Sequence, residues 1–176
     1  MEILFFIIGP TMGWFSCVIG AAKDLFWLGP LSVALLLLAS IGIRGKRFLS
    51  RILLICLVSV IFGLLFDTLL IGTGIYTPKR WLIPEPLAAL WLLSLWANFS
   101  ITMDTSLKWL QNHLITAAIL GSIFGPSAYL AGQRLGALTI GQSTSVAIVI
   151  LAITWALAMV VLSIIARVLP SPKKIQ

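Results

Sequence analysis

The chain is poor in charge: twelve Lys/Arg and five Asp/Glu in 176 residues, or 10%, where a soluble domain carries about 25%. With 60% hydrophobic residues, that deficit excludes an ordinary cytosolic enzyme and a disordered chain, which is rich in polar residues. Cysteine is scarce as well. Cys17 and Cys56 sit in apolar runs, too few for a secreted disulfide scaffold and without the spacing of a redox or metal motif; they read as small buried hydrophobes. The one histidine, His113, has no second His or Cys at ligand spacing, so no metal site is expected. No glycine loop of the P-loop or dinucleotide type opens a helix after a strand, so no cofactor is expected. The net charge of +7 would suggest nucleic acid in a soluble protein. Here the basic residues lie between apolar runs, so their meaning is topological and no nucleic-acid partner is expected.

What the sequence does have is long uncharged runs, over 3–22, 25–43, 52–66, 86–103, 109–133 and 135–166. A helix needs about 20 apolar residues to cross a bilayer. The third run reaches that length by continuing past Asp67 through Ile71. The pattern predicts an all-α, polytopic bundle of six transmembrane helices near 3–22, 25–43, 52–72, 86–104, 114–133 and 143–167, forming one integral-membrane domain over 1–176. The last helix takes its cap from Ser143 or Thr144 and stops before Pro170.

Alternating the connections puts Arg44, Lys46, Arg47, Arg51, Lys108, Arg167, Lys173 and Lys174 on one side, against Lys23, Lys79, Arg80 and Arg134 on the other. The side richer in basic residues is cytoplasmic, so both termini are expected there. The first run opens with Glu2 and no Lys or Arg, and Pro10 and Gly13 interrupt it. An uncleaved helix is therefore expected rather than a signal peptide. Cys17 lacks a convincing lipobox, Trp14 standing where a Leu-like residue belongs. The loop 73–85 holds Pro and Gly enough to oppose a helix, with Tyr76 and Trp81 expected at headgroup level.

Asp67 is the most informative residue. It lies about 22 Å along the third helix, within the outer part of the membrane, where an ionisable group is costly and marks a site by default. Arg134, Lys79, Arg80 and Lys23 are its expected partners on that side. In helix 5, Gly121, Gly125, Ala128, Gly132 and Gly136 share one face, a small-residue stripe for close helix packing. Pro126 should kink that helix beside Tyr129 and Arg134. In helix 4, Ser94, Asn98 and Thr102 recur every fourth residue, suited to interhelical hydrogen bonds, and Asp104 is spaced to pair with Lys108 if the helix continues that far.

The segments Trp14 to Ala22, Trp27 to Pro30, Gly63 to Leu70, Pro86 to Trp91, Ser106 to Leu110 and Gly125 to Gly136 together resemble a bacterial inner-membrane family, domain of unknown function 2878. The resemblance implies a multi-pass location in the cell inner membrane and adds weight to Asp67, Trp91, Tyr129 and Arg134. It carries over no catalytic residue.

Three functional expectations follow. The first is a non-enzymatic bundle that binds a small ligand or lipid, or serves as a subunit of a transport or envelope assembly, with the bilayer and a membrane protein or small ligand as partners. The second is an intramembrane lipid-modifying enzyme using Asp67 as acid or base, with Arg134 and Tyr129 orienting an anionic headgroup near the outer side. The third is a structural Asp67–Arg134 ion pair.

Overall fold

A computed structural model describes residues 2–79, 83–141 and 143–170; Arg80, Trp81, Lys173 and Lys174 lie outside the described residues. The fold is all-helical, with six α-helices among those residues: α1 (Glu2–Ala22), α2 (Leu28–Arg44), α3 (Leu49–Gly72), α4 (Leu90–Met103), α5 (Leu114–Leu135) and α6 (Thr144–Val168). Four of them, α1, α3, α5 and α6, are long and apolar enough to cross a membrane. At 17 and 14 residues, α2 and α4 are shorter than the expected spans. Residues 23–27 are used in turning away from α1. Pro84 and Pro86, with an extended Ala89, hold the chain out of helix until Leu90.

The three odd-numbered helices end in the same way. Asp24, Gly74 and Gly136 have φ of 59°, 72° and 83°, the left-handed residue that closes a Schellman turn. The following amides complete it: Leu25 donates to Gly20, Ile75 to Leu70 and Ala137 to Gly132. The turns after α3 and α5 feed two short strands, β1 (Tyr76–Pro78) and β2 (Leu138–Ile140), which pair antiparallel with Tyr76 opposite Ile140 and Pro78 opposite Leu138. The 73–85 loop was expected not to form a helix, and its described residues form none; its strand is set by pairing with a segment some sixty residues away, which local composition does not reveal. Ser143 occupies the N-cap of α6, yet its side chain makes no capping hydrogen bond.

The exterior is apolar. On α3, Leu53, Leu57, Ile61, Leu65 and Leu69 form an exposed stripe at every fourth position, and Val149, Ile153 and Leu157 are exposed on α6. The buried set includes Ser40, Ser59, Asp67, Asn98, Ser100 and Ser163. Apolar surface outside and polar side chains turned inward is the distribution a lipid solvent favours.

At one end of the bundle, Asp104 accepts from Arg44 at 2.6 Å and from Arg51 Nε at 2.8 Å. Arg51 also donates to the Leu169 and Ala166 carbonyls at 2.6 and 2.9 Å, so it caps the C-terminus of α6. The expected Asp104–Lys108 pair does not form. The helix stops at Met103, and Lys108 opens a separate 3-10 turn, Lys108–Asn112, which breaks the four-residue register. At the opposite end, Lys79 donates to the Ala22 carbonyl at 2.8 Å and pairs with Asp24 at 3.3 Å, joining the exits of α1 and α3.

Candidate functional site

Asp67 lies on the last turns of α3, only 1% exposed. Three donors reach it from three other elements. Trp96 Nε1 of α4 donates to Oδ2 at 2.7 Å, while the hydroxyls of Tyr76 in β1 and Tyr129 in α5 both donate to Oδ1 at 2.8 Å. The two tyrosine rings meet edge to face with centroids 4.8 Å apart. Three such donors favour an ionised carboxylate, while burial without a counter-charge opposes it. Burial, followed by the Asp67 charge, pushes the Tyr76 hydroxyl well above its ordinary value and keeps it a donor.

Small residues admit the large rings. A Cβ on Gly63, one turn before Asp67, would fall inside the Trp96 indole, so the missing side chain lets that ring lie across α3 and reach the carboxylate. Trp155 of α6 stacks on Trp96 at 5.2 Å and 6°. It rests on Gly121 and Gly125: a Cβ on Gly121 would come 2.5 Å from the Trp155 carbonyl oxygen, and one on Gly125 would overlap its side chain. Gly132 faces Leu138, and Ala128 lines a cavity. Gly136 differs from the rest of the stripe. It lies beyond the end of α5 with open space around it, and its positive φ makes it a cap.

Among the described residues Arg134 makes no salt bridge to Asp67. Equal depth does not mean equal direction: Arg134 follows Tyr129 by five residues, a rotation of about 140° on the helix, so it is exposed where Tyr129 is buried. Tyr76, expected at headgroup level, is fully buried on the carboxylate. Trp91 is buried, donates to the Lys79 carbonyl at 2.9 Å and lines the cavity. In the helix 4 stripe, Asn98 bridges to the Pro10 carbonyl of α1 at 2.8 Å, whereas Ser94 turns back to Leu90 of its own helix. His113 is exposed on the Trp109 carbonyl, and no group of metal-ligating side chains occurs among the described residues.

Asp67 borders a cavity of about 610 Å³ between α1, α4 and α5. It extends from Ser106, Leu107 and Leu110 past Phe99 and Trp14 to Trp91, Gly132 and Leu138, over most of the bundle's depth. Its walls are aromatic and aliphatic, with Asp67 as their one ionisable carboxylate and no Lys, Arg or His among the described lining residues. Asn98 Oδ1, buried at the wall against Gly13, has no hydrogen-bond partner among the described residues. Residue spacing did not single out Tyr76, Trp96 or Trp155. The available signal was Gly63 and Asp67 four apart on one helical face, a gap beside an acid that a ring can fill.

These features define an all-helical protein with a lipid-compatible exterior and a buried carboxylate beside an internal cavity. The chain belongs to the family described as Protein of unknown function (DUF2878), which it matches over residues 3–161. No curated protein and no solved structure matches it.

Proposed function

We propose that this is a multi-pass inner-membrane protein that binds a small ligand or lipid with a largely apolar body within its helices without transforming it. The observation that carries this reading is the cavity of about 610 Å³. It falls in the range of ligand sites, about 300–1,000 Å³, which combine apolar walls with a few placed polar groups. Six passes are supported by the contacts at the two ends: Arg44, Arg51, Asp104 and Leu169 meet at one, and Ala22, Asp24, Lys79 and Ala137 at the other. That is the alternation of six antiparallel segments. Eight basic residues against four support cytoplasmic termini. The lipid-modifying alternative loses its headgroup ligand, because Arg134 is exposed and is not among the cavity-lining residues.

The test is to purify the protein in mild detergent and identify retained small molecules by mass spectrometry, with Ala128→Trp as the filled-cavity control. A molecule held by the wild type and lost from a folded Ala128→Trp supports the reading. An empty wild type that also takes up no added amphiphile overturns it.

A further inference from the structure

Building on that cavity reading, we propose that the ligand is an amphiphile with a protonated amine, its ammonium donating to Asp67 Oδ2 and its apolar body lying along the aromatic wall. The charge bookkeeping of the site points there. Asp67 holds three neutral donors and, among the described residues, no cation. A buried carboxyl group held only by neutral groups takes up a proton unless an opposite charge is brought in, and a bound ammonium would supply that charge. Oδ1 accepts twice and Oδ2 once; a carboxylate has about four lone-pair sites, so one remains on Oδ2 of a residue that lines the cavity.

The surroundings suit a cation. Trp96 and Tyr129, which hold the carboxylate, line the cavity together with Trp155, Trp14, Trp91 and Phe99, and an aromatic wall attracts an ammonium group wherever a ring face is open to it. The same lining disfavours a phospholipid amine. Phosphatidylethanolamine would bring a phosphate together with its ammonium, and no Lys, Arg or His among the described lining residues would receive it. A fatty acid would set carboxylate against carboxylate. The chemistry left is a lone organic cation on an apolar body.

The experiment incorporates the protein in lipid nanodiscs and measures, by native mass spectrometry, binding of dodecylamine, 1-dodecanol and dodecanoic acid, three head groups on one chain length. The amine should bind about tenfold more tightly than the alcohol, the difference between a charge-assisted and a neutral hydrogen bond, and the acid least. In Asp67→Asn the amine's advantage should fall below about threefold while the alcohol is unchanged. Equal binding of all three head groups, or an amine preference that survives Asp67→Asn, overturns the proposal and leaves the cavity reading intact. Stoichiometric phosphatidylethanolamine retained through purification also overturns it, by naming a phospholipid source. If all three probes bind a folded Ala128→Trp as they bind the wild type, the cavity reading itself fails. Should Asp67→Asn not fold, the wild-type series decides alone.

Discussion

Trp96 crosses α3 at Gly63 and donates its indole N–H to Asp67 at 2.7 Å, one helical turn further on. The contact couples two sequence features that look independent, a glycine and an acid four residues apart, through a ring from another helix. Gly63→Ala would place a methyl inside the indole, and overpacking of this kind costs about 1–3 kcal/mol. Thermal unfolding in detergent should show a clear fall in Tm. Gly42→Ala is the matched control: it sits in the exposed face of α2 with nothing within 4 Å, and should be neutral or stabilising by about 0.5–1 kcal/mol. Equal effects at the two glycines would remove the steric account of the site.

Tyr76 and Tyr129 share one carboxylate oxygen, so Tyr76→Phe and Tyr129→Phe should each cost about 1–3 kcal/mol, with a double variant that departs from additivity. The pH profile has a defined sign. The Tyr76 hydroxyl is held above its ordinary value by burial first and the Asp67 charge second. A raised group contributes stability that is fully present below its unfolded value, about pH 10, and is lost as pH climbs from there toward the folded one. Tm should therefore decline above about pH 10, and Tyr76→Phe should flatten that decline. An equally steep alkaline loss in Tyr76→Phe would show that other groups carry it.

The helices were legible because charge punctuates a chain with little of it. Asp67 stood out for the same reason, as an acid inside an apolar run. Its partners did not. Trp96 and Trp155 lie in apolar helices where an aromatic residue signals core, lipid face and ligand wall alike. Tyr76 reaches the carboxylate from β1, which pairs with β2 between the connections that follow α3 and α5, a long-range fact absent from local pattern. Arg134 was assigned to Asp67 from depth, and depth carries no information about direction around a helix. Asp104 was assigned to Lys108 by helical spacing, which holds only while the helix continues.

Arg51 and Asp104 are 5% and 3% exposed, and the guanidinium joins α3 to α4 and to the end of α6. Removing Asp104 leaves Arg51 buried without a carboxylate, at a cost of about 3–5 kcal/mol, while removing Arg51 leaves Asp104 to Arg44 alone and uncaps α6. Arg51→Ala and Asp104→Ala should each lose most folded, monodisperse protein. Arg51→Lys should rescue poorly, since an ammonium cannot reproduce the planar fork that serves a carboxylate and three carbonyls together. Lys108→Ala should lie within about 0.5 kcal/mol of wild type. Size-exclusion yield and Tm measure all four; a severe Lys108→Ala defect would restore the spacing-based pair.

Orientation rests on residues that need not be altered to test it. Thr73 and Ser50 are exposed, uncharged and at opposite ends of α3, so cysteines there leave every topological Lys and Arg in place. Cys17 is fully buried and can stay, while Cys56→Ala removes the other native thiol. In right-side-out vesicles, a membrane-impermeant maleimide should label Thr73→Cys directly and Ser50→Cys only after permeabilisation. The inverse pattern would put the Asp104 cluster on the outer side and overturn the cytoplasmic termini. Labelling of both from outside would show that α3 does not separate the two faces, and the six-pass reading would fall with it. The expected pattern places the Asp67 end of the cavity toward the outer leaflet.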